Sequence, residues 1–591
     1  MPRHSRTTRG LLVAPATMAA VAAGLLAPGL SAEALAADTF TAPAYTDPDC
    51  EIAFGSTVLG LTPDMIGSVV GLPIPLPSAP APQTVVIVSM GQTASQTDVR
   101  DMLQYCGLNP LTWTDVLKPG DTTPGVDSEA TLDLTVISAM LPANTTLKTA
   151  TIASSIDFKA ALLNAGNACG LDGTDWTQWR RSQLDTPTGG CIASMSYAVF
   201  EDSLPNLIAA LSPPPPDPQL WFEEVEGILA ALASSGVITV VSSGDEGSGG
   251  CLPLTRGQQN LMAPQWPSTS AHALSVGGTM WAPTTWNGAA ITPVSYVPGQ
   301  SLMPVTWRNW NMGSDCLWDE SPTITWPGIG TTGGVSDLIE RPSYQSSVAG
   351  VAPSSVGRLS PDLAGLAGWP TWLVPDAANP GQFTYAMGTS AAAPLMAAGL
   401  AQVNAALTSR GMTPLDNSGG PLDIHEVIYS PAFASVFNDV TQGTSNLWSS
   451  DLWTGPTAVT TVGFLQGIGF LDSSVPPVPT ANTSASITGY TAGVGYDLTT
   501  GLGVPNFATL ARLLIAAQTP SPGGPPPILQ QVPVPASGSC DLVITDYDWG
   551  GASSGGWSRS WAQWTNGGSG GPVCTRTLVY SGSLRYWIVQ R

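Results

Sequence analysis

Ser390 stands in Tyr385-Ala386-Met387-Gly388-Thr389-Ser390-Ala391-Ala392-Ala393-Pro394, between a Gly-Thr turn and the start of a small-residue helix. A serine there meets unpaired backbone N–H groups and the positive end of the helix dipole. Both would stabilise the oxyanion formed when its hydroxyl attacks a carbonyl. Gly388 can take backbone shapes that other residues resist. Serine is also a favoured helix cap, so the same placement serves a purely structural role.

A serine hydroxyl is a poor nucleophile until a base takes its proton. The usual base is histidine, and the chain has three: His4, His272 and His425. His4 falls in a segment expected to be removed. His272 precedes the Gly277-Gly278 turn, and His425 follows the serine in Asp423-Ile424-His425-Glu426-Val427. Neither has the glycine-rich surroundings of a base-bearing helix start. Both read as structural histidines, which leaves a Ser-His-Asp triad with little support.

Carboxylates offer another base. Asp127-Ser128-Glu129-Ala130-Thr131-Leu132-Asp133-Leu134 opens a segment with Leu134, Ile137 and Leu141 at helical spacing. Asp127 or Ser128 can cap it. Glu129 and Asp133 are four residues apart, on one helix face. Two carboxylates that close cannot easily both ionise, so they share a proton and one pKa rises. That suits a base working below neutral pH. Two solvated acids near a helix start are the alternative. A third acid, Asp245, sits in Val240-Val241-Ser242-Ser243-Gly244-Asp245-Glu246-Gly247, where an apolar strand runs into a turn. Protonated, it could donate to an oxyanion; it could equally be an ordinary turn aspartate.

These groups serve one reaction only if the fold brings them together. Thr84–Val88 reads as a strand. Phe222–Ser235 has helical periodicity, with Val225, Ile228, Leu229 and Leu232 on one face and Gly236 at its end. Val237–Val241 is the kind of apolar, β-branched strand found in parallel sheets buried on both sides. Ala391–Leu407 reads as a small-residue helix. The expected class is α/β with a largely parallel sheet, whose sites gather at the carboxyl ends of the strands.

In order and spacing, Ser128-Glu129-Ala130-Thr131-Leu132-Asp133, Ser243-Gly244-Asp245 and Gly388-Thr389-Ser390-Ala391 resemble the sedolisins, the serine-carboxyl peptidases. The likeness runs on through Trp266-Pro267-Ser268, Val276-Gly277-Gly278-Thr279, Thr332-Gly333-Gly334-Val335-Ser336, Ser360-Pro361-Asp362 and Phe437-Asn438-Asp439-Val440-Thr441. It ends at Gly493-Val494-Gly495-Tyr496-Asp497 and Thr500-Gly501-Leu502-Gly503. It covers roughly Pro82 to Ala517. The Gly-Thr-Ser-Ala run alone is similar to subtilisins too; the ordered set is specific.

The resemblance implies a subtilisin-like parallel sheet flanked by helices and a peptidase active in acid. It casts Ser390 as nucleophile, Glu129 as general base, Asp133 as the acid that holds Glu129, and Asp245 as the oxyanion-hole acid. It also implies one structural calcium ion (Ca2+). Asp439 and Asp497 match the carboxylate ligands, and Val440, Gly493 and Gly495 the carbonyl ligands; hard oxygens and wrapping glycines suit that ion. A glycine-rich turn without metal is the plainer alternative. Two departures stand out: Glu246 where the family usually has serine, and Met387 where it usually has the serine of Ser-Gly-Thr-Ser. Most members also carry a large N-terminal prodomain. Residues 37–81 are too few for it, so activation by a short or separate inhibitor, or none, is expected.

The remaining features frame that reading. A formal charge of −23 argues against nucleic acid as a partner. Residues 1–36 read as a secretory signal, with Arg3, Arg6 and Arg9, an apolar run, and Ala34-Leu35-Ala36 as cleavage site. No other stretch reads as a membrane span. Eight cysteines in an exported chain suggest disulfides, with Cys540–Cys574 and Cys169–Cys191 the expected pairs. The expected organisation is signal 1–36, extension 37–81, peptidase domain 82–517, Pro-rich linker 518–538 and a Trp-rich β module 539–591. The module's strands are expected at Arg576–Tyr580 and Tyr586–Val589. Its tryptophans could stack on polysaccharide or cell wall, or simply form its core. Substrates are expected to be proteins or peptides, cut internally with an optimum below about pH 5, and the chain to be a monomer. The competing reading is a non-catalytic surface or wall-binding protein on the same scaffold.

Overall fold

The computed structural model describes residues 52–519 except 55–56, 172–175, 180–189, 202–203, 246, 248–263, 283–285, 288–289, 292–305, 310–329, 349–350, 352–355, 369–370, 444 and 446–489, together with strands 528–534 and 574–579. The signal segment, Glu246, most of the Trp-rich module and the Cys540–Cys574 pairing fall outside these residues.

Strand Gln83–Met90 is a run of buried β-branched and apolar residues, and it forms the centre of a large sheet. Taken in chain order, its parallel strands are Gln83–Met90, Trp113–Leu117, Thr145–Ile152, Cys191–Met195, Ile238–Ser242, Ala273–Ala282 and Leu363–Leu366. Their order across the sheet is second, third, first, fourth, fifth, sixth, seventh. Strand Thr306–Asn309 adds an antiparallel edge. The expected α/β class with a subtilisin-like parallel sheet flanked by helices is what the chain adopts. Reversal of strand order beside the first strand opens a crevice at the carboxyl ends. Met90, Met195 and Ser242 all end there.

The helices follow from local signals. Asp217 caps Pro218–Ser234, accepting N–H bonds from Gln219 at 3.0 Å and Leu220 at 3.2 Å, with Pro218 in the first turn. Helix Thr389–Thr408 is buried along almost its whole length. It is long and apolar enough to cross a membrane by composition, contrary to the expectation that nothing beyond the signal is. Its apolarity instead reflects burial on every side, against five strands and helix Ser128–Ser138.

Residues 52–72 build onto this body. Strands Ile52–Phe54 and Thr57–Leu61 extend a sheet whose other members are Thr371–Pro375 and Phe383–Ala386, the hairpin that leads into Ser390. Helix Pro63–Val69 buries Met65, Ile66 and Val69. Cys169 and Cys191 form a disulfide, the second of the two expected pairs. Cys106 is disulfide-bonded as well. In a separate unit, Ile528–Val534 pairs antiparallel with Cys574–Val579. The first of these strands lies within the stretch read as linker, and its Ile-Leu-Gln-Gln-Val-Pro-Val sequence carries enough apolar and β-branched residues for a strand.

Candidate active site

Helix Ser128–Ser138 starts at Asp127, whose carboxylate accepts the Ser128 N–H at 2.6 Å. The Leu134 and Ile137 spacing read from sequence does mark a buried face, but Ala130 to Ser138 are all buried. The solvated-acid alternative therefore fails for Asp133, which is 1 % exposed. Glu129 as a whole residue is half-buried, while its Oε1 is shut off from solvent. The two descriptions agree once the side chain is seen to run inward from the exposed first turn.

Burial pushes the Glu129 carboxyl up to about 7; a hydrogen bond with the Ser390 hydroxyl pulls it down, and the charges of Asp245 and Asp127 push it up. Asp133 is pushed well above the usual carboxylate range, first by burial and then by the charge of Glu129, against a hydrogen bond from Ser196. Glu129 Oε1 and Asp133 Oδ2 are both buried acceptors with no donor. Tyr197 lies alongside, its phenol raised by burial and by the same two carboxylates.

Ser390 occupies the first turn of its helix and is 8 % exposed. Thr389, beside it, gives both its N–H (2.7 Å) and its hydroxyl (2.5 Å) to Asp245 Oδ1. The Thr389 hydroxyl oxygen accepts the Gly244 N–H at 3.2 Å. Segment 330–332 straps the same turn: Gly330 N–H donates to the Asp245 carbonyl at 2.7 Å, and Thr332 N–H to the Gly244 carbonyl at 3.0 Å. Gly244 has φ 110°, and a Cβ there would lie 2.3 Å from Gln265 Oε1. The turn that carries Asp245 therefore has one conformation available, and it faces the start of the Ser390 helix.

The histidines are occupied elsewhere. His425 is 1 % exposed, with Nδ1 3.0 Å from Asn417 Oδ1 and Nε2 3.1 Å from the Ala273 carbonyl, and it stacks on Tyr344. It borders the buried Arg358–Asp362 ion pair. His272 is raised by no partner of the Ser390 site; burial and the charge of His425 lower it.

The proposed metal ligands come from two segments, 439–440 and 493–497, that meet through a Gly495–Asp439 hydrogen bond. Asp439 Oδ2 accepts the Gly495 N–H at 2.9 Å, and Asp497 Oδ2 the Gly493 N–H at 3.0 Å. Asp497 Oδ1 is fixed by N–H bonds from Thr499 and Thr500, both 2.9 Å. Burial still raises Asp497, more than these hydrogen bonds offset. Two carboxylates and nearby carbonyls form a hard-oxygen set that fits a calcium ion, although no group of three His, Cys, Asp or Glu gathers around a metal position among the described residues.

Two contributors were not foreseen from sequence. Ser196 bonds to Asp133, and Thr389 to Asp245. For Ser196 a signal existed: it follows the apolar run Cys191–Met195, at the carboxyl end of a buried strand.

The model of the subtilase family matches residues 143–450, more than half the chain. Physarolisin of Physarum polycephalum is 26 % identical over 478 residues, 78 % of this chain and 68 % of that protein. Kumamolisin of Bacillus sp. (strain MN-32) is 27 % identical over 379 residues, covering 62 % and 54 %. Tripeptidyl-peptidase sed1 of Aspergillus fumigatus is 26 % identical over 319 residues, and the match spans only 36 % of its length. Pseudomonas sedolisin, a serine-carboxyl proteinase solved with pseudo-iodotyrostatin, superposes with a TM-score of 0.50 at 20 % identity, covering 77 % of this chain and 98 % of that one. A buried carboxylate pair against a serine, on this strand order and with these relatives, places the chain in the subtilase family, among the sedolisins.

Proposed function

We propose that the chain is a secreted serine-carboxyl endopeptidase that hydrolyses peptide bonds in acid. The observation that carries this reading is the buried pair of carboxyls, Glu129 and Asp133, set against the Ser390 hydroxyl at the head of its helix, close enough for that hydroxyl to pull the Glu129 carboxyl down. In it, Glu129 takes the Ser390 proton as the hydroxyl oxygen attacks the peptide carbonyl. Asp133 keeps its proton and donates it to Glu129, which satisfies the two bare oxygens of the pair. Protonated Asp245 and the Ser390 N–H bind the oxyanion. Glu129 returns the proton to the leaving amine, leaving an acyl-enzyme, and then activates the water that releases it. The disulfide supports an exported protein.

Asp439 and Asp497, with the carbonyls of Val440, Gly493 and Gly495, would hold one calcium ion. When bound, it would neutralise the buried Asp497 and the exposed Asp439 and stiffen the two segments that carry them; no step of hydrolysis runs through it.

The test is cleavage of denatured casein across the acid range by wild type, Ser390→Ala and Glu129→Gln. Internal fragments from wild type and none from Ser390→Ala are expected. Release of tripeptides alone would instead align this chain with the tripeptidyl-peptidases among its relatives. No cleavage by wild type at any pH, calcium present, would overturn the peptidase reading.

A further inference from the structure

Ser196 is the first residue after strand Cys191–Met195, and it is 9 % exposed. Its Oγ lies 2.9 Å from Asp133 Oδ1 and 3.2 Å from the carbonyl oxygen of Ser390. In an unbroken helix that carbonyl would accept the N–H of the residue four positions on. Here that residue is Pro394, which has no N–H. The nucleophile's own carbonyl is therefore a buried acceptor without its helical donor, and the Ser196 hydroxyl is the donor beside it.

A serine hydroxyl carries one hydrogen. It cannot serve both oxygens at once. With Asp133 Oδ1 bare, Ser196 donates to it. With a proton on Oδ1, Asp133 donates to Ser196, and Ser196 donates to the Ser390 carbonyl. The other oxygen, Oδ2, has no donor, and neither has Glu129 Oε1. One proton held between those two oxygens, on the Oδ2 side of Asp133, satisfies both, and that leaves Oδ1 bare.

We propose that Ser196 is a positioning residue for the carboxylate pair: by donating to Asp133 Oδ1 it keeps the shared proton on the Oδ2 side, toward Glu129, and it ties the pair's protonation to the backbone of the nucleophile. This rests on the peptidase reading above. The groups that face the pair are Asp127 at the head of the same helix, Asp245 from the turn after strand Ile238–Ser242, Tyr197 next to Ser196 in the chain, and Ser390 itself. None of these replaces the donor that Ser196 gives to Asp133 Oδ1.

The test compares wild type, Ser196→Ala, Ser196→Cys and Ser196→Thr by the pH dependence of kcat and KM, with a thermal midpoint for each. Loss of a hydrogen bond to a charged acceptor should raise the rising, acid-side limb by about one pH unit and lower kcat about tenfold, with KM little changed. Ser196→Cys, nearly the same size but a weak donor, should shift the limb in the same direction. Ser196→Thr keeps the hydroxyl and should restore the wild-type limb even if its stability falls. Infrared titration of the protonated-carboxyl carbonyl band, assigned by its change in Asp133→Asn, reads the same upward shift without substrate. A Ser196→Ala profile and titration that superimpose on wild type would overturn the inference while leaving the peptidase reading intact. A wild type that cleaves nothing would overturn the peptidase reading, and the infrared titration would still decide the role of Ser196.

Discussion

Asp245 Oδ1 accepts both the N–H and the hydroxyl of Thr389, at 2.7 and 2.5 Å, one residue before Ser390. The acid proposed for the oxyanion hole is thus also the anchor of the helix that presents the nucleophile. Gly388 makes this approach possible. Its φ is 140°, and a Cβ there would sit 2.7 Å from Asp245 Oδ2. Gly388→Ala is therefore expected to push the carboxyl aside, lowering kcat/KM about 100-fold, as loss of one oxyanion donor does. The strained backbone should cost about 1–3 kcal/mol of stability. Steady-state kinetics and thermal unfolding check both. Unchanged kcat/KM in this variant would remove Asp245 from the oxyanion role.

The pH dependence follows from Glu129, which must be ionised to accept the Ser390 proton. Burial raises it to about 7, the Ser390 hydrogen bond lowers it, and the charges of Asp245 and Asp127 raise it. The rising limb of activity should therefore lie above the ordinary glutamate value of about 4 and reach no further than about 7. This moves the expected optimum upward from the range below pH 5. Activity should fall again when the pair loses its second proton, because Asp133 can then no longer donate to Glu129. Glu129→Gln should lower kcat by roughly 10²–10⁴-fold and abolish the rising limb. A variant that kept the wild-type profile would place the base elsewhere.

The individual parts of this site were legible in the sequence, and their depth was not. The four-residue spacing of Glu129 and Asp133 gives a shared helix face whatever surrounds it. Whether that face meets water depends on the Ser390 helix, which lies some 260 residues further along the chain and packs against it. No local pattern encodes that contact. The apolar run Ile238–Ser242 announces a buried strand, and hence Asp245 at its carboxyl end, because strand period and burial are local properties. Thr389 as partner of Asp245, and Ser196 as partner of Asp133, arise where a helix meets the turn after a strand far away in sequence. The stop at Gly236 was readable because caps act within a few residues, whereas the start of that helix, read at Phe222, lies at Pro218 behind the Asp217 cap.

Stability should follow pH in a defined direction. Asp64, Glu129, Asp133, Glu201 and Glu226 are all raised, each chiefly by burial. For Glu201, bonds from the Ser336 hydroxyl and the Asp337 N–H only partly offset this, and for Glu226 those from Trp266 and Ser270 do the same. A raised folded-state value means that the folded state holds its proton after the unfolded chain has released it. The resulting stability is fully present below the unfolded carboxylate range of about 4, and it is lost as pH rises through the folded values. Asp423 acts in the opposite sense: burial would raise it, but His425 and backbone N–H bonds bring it down, so its contribution is lost as pH falls. Glu426 and Asp497 join the raised set, and His272 and the exposed Asp376 the opposing one; the raised groups are the more numerous. The thermal midpoint should be highest in acid and decline between about 4 and about 7, where Glu129 releases its proton. A midpoint that rises over this interval would contradict the assignment.

Calcium should matter for the fold rather than for the chemical step. The loop that carries Asp497 is tied to the buried ion pair behind it: the Leu502 N–H donates to the Asp362 carbonyl at 2.8 Å, and the Tyr496 hydroxyl to the Pro361 carbonyl at 2.8 Å. Asp362 in turn holds Arg358 at 2.7 Å and receives the Tyr429 hydroxyl at 2.7 Å. Stripping a cation from Asp439 and Asp497 leaves two carboxylates on adjoining segments, one of them buried, and should loosen that attachment. Chelation is expected to lower the thermal midpoint, with the loss reversed by added calcium and not by magnesium, whose small octahedral shell such carbonyl-rich loops fit poorly. At a temperature where the chelated protein remains folded, kcat should change little. Asp497→Ala should show the lowered midpoint and no longer respond to calcium. A midpoint indifferent to chelator in the wild type would return this loop to a plain glycine-rich turn.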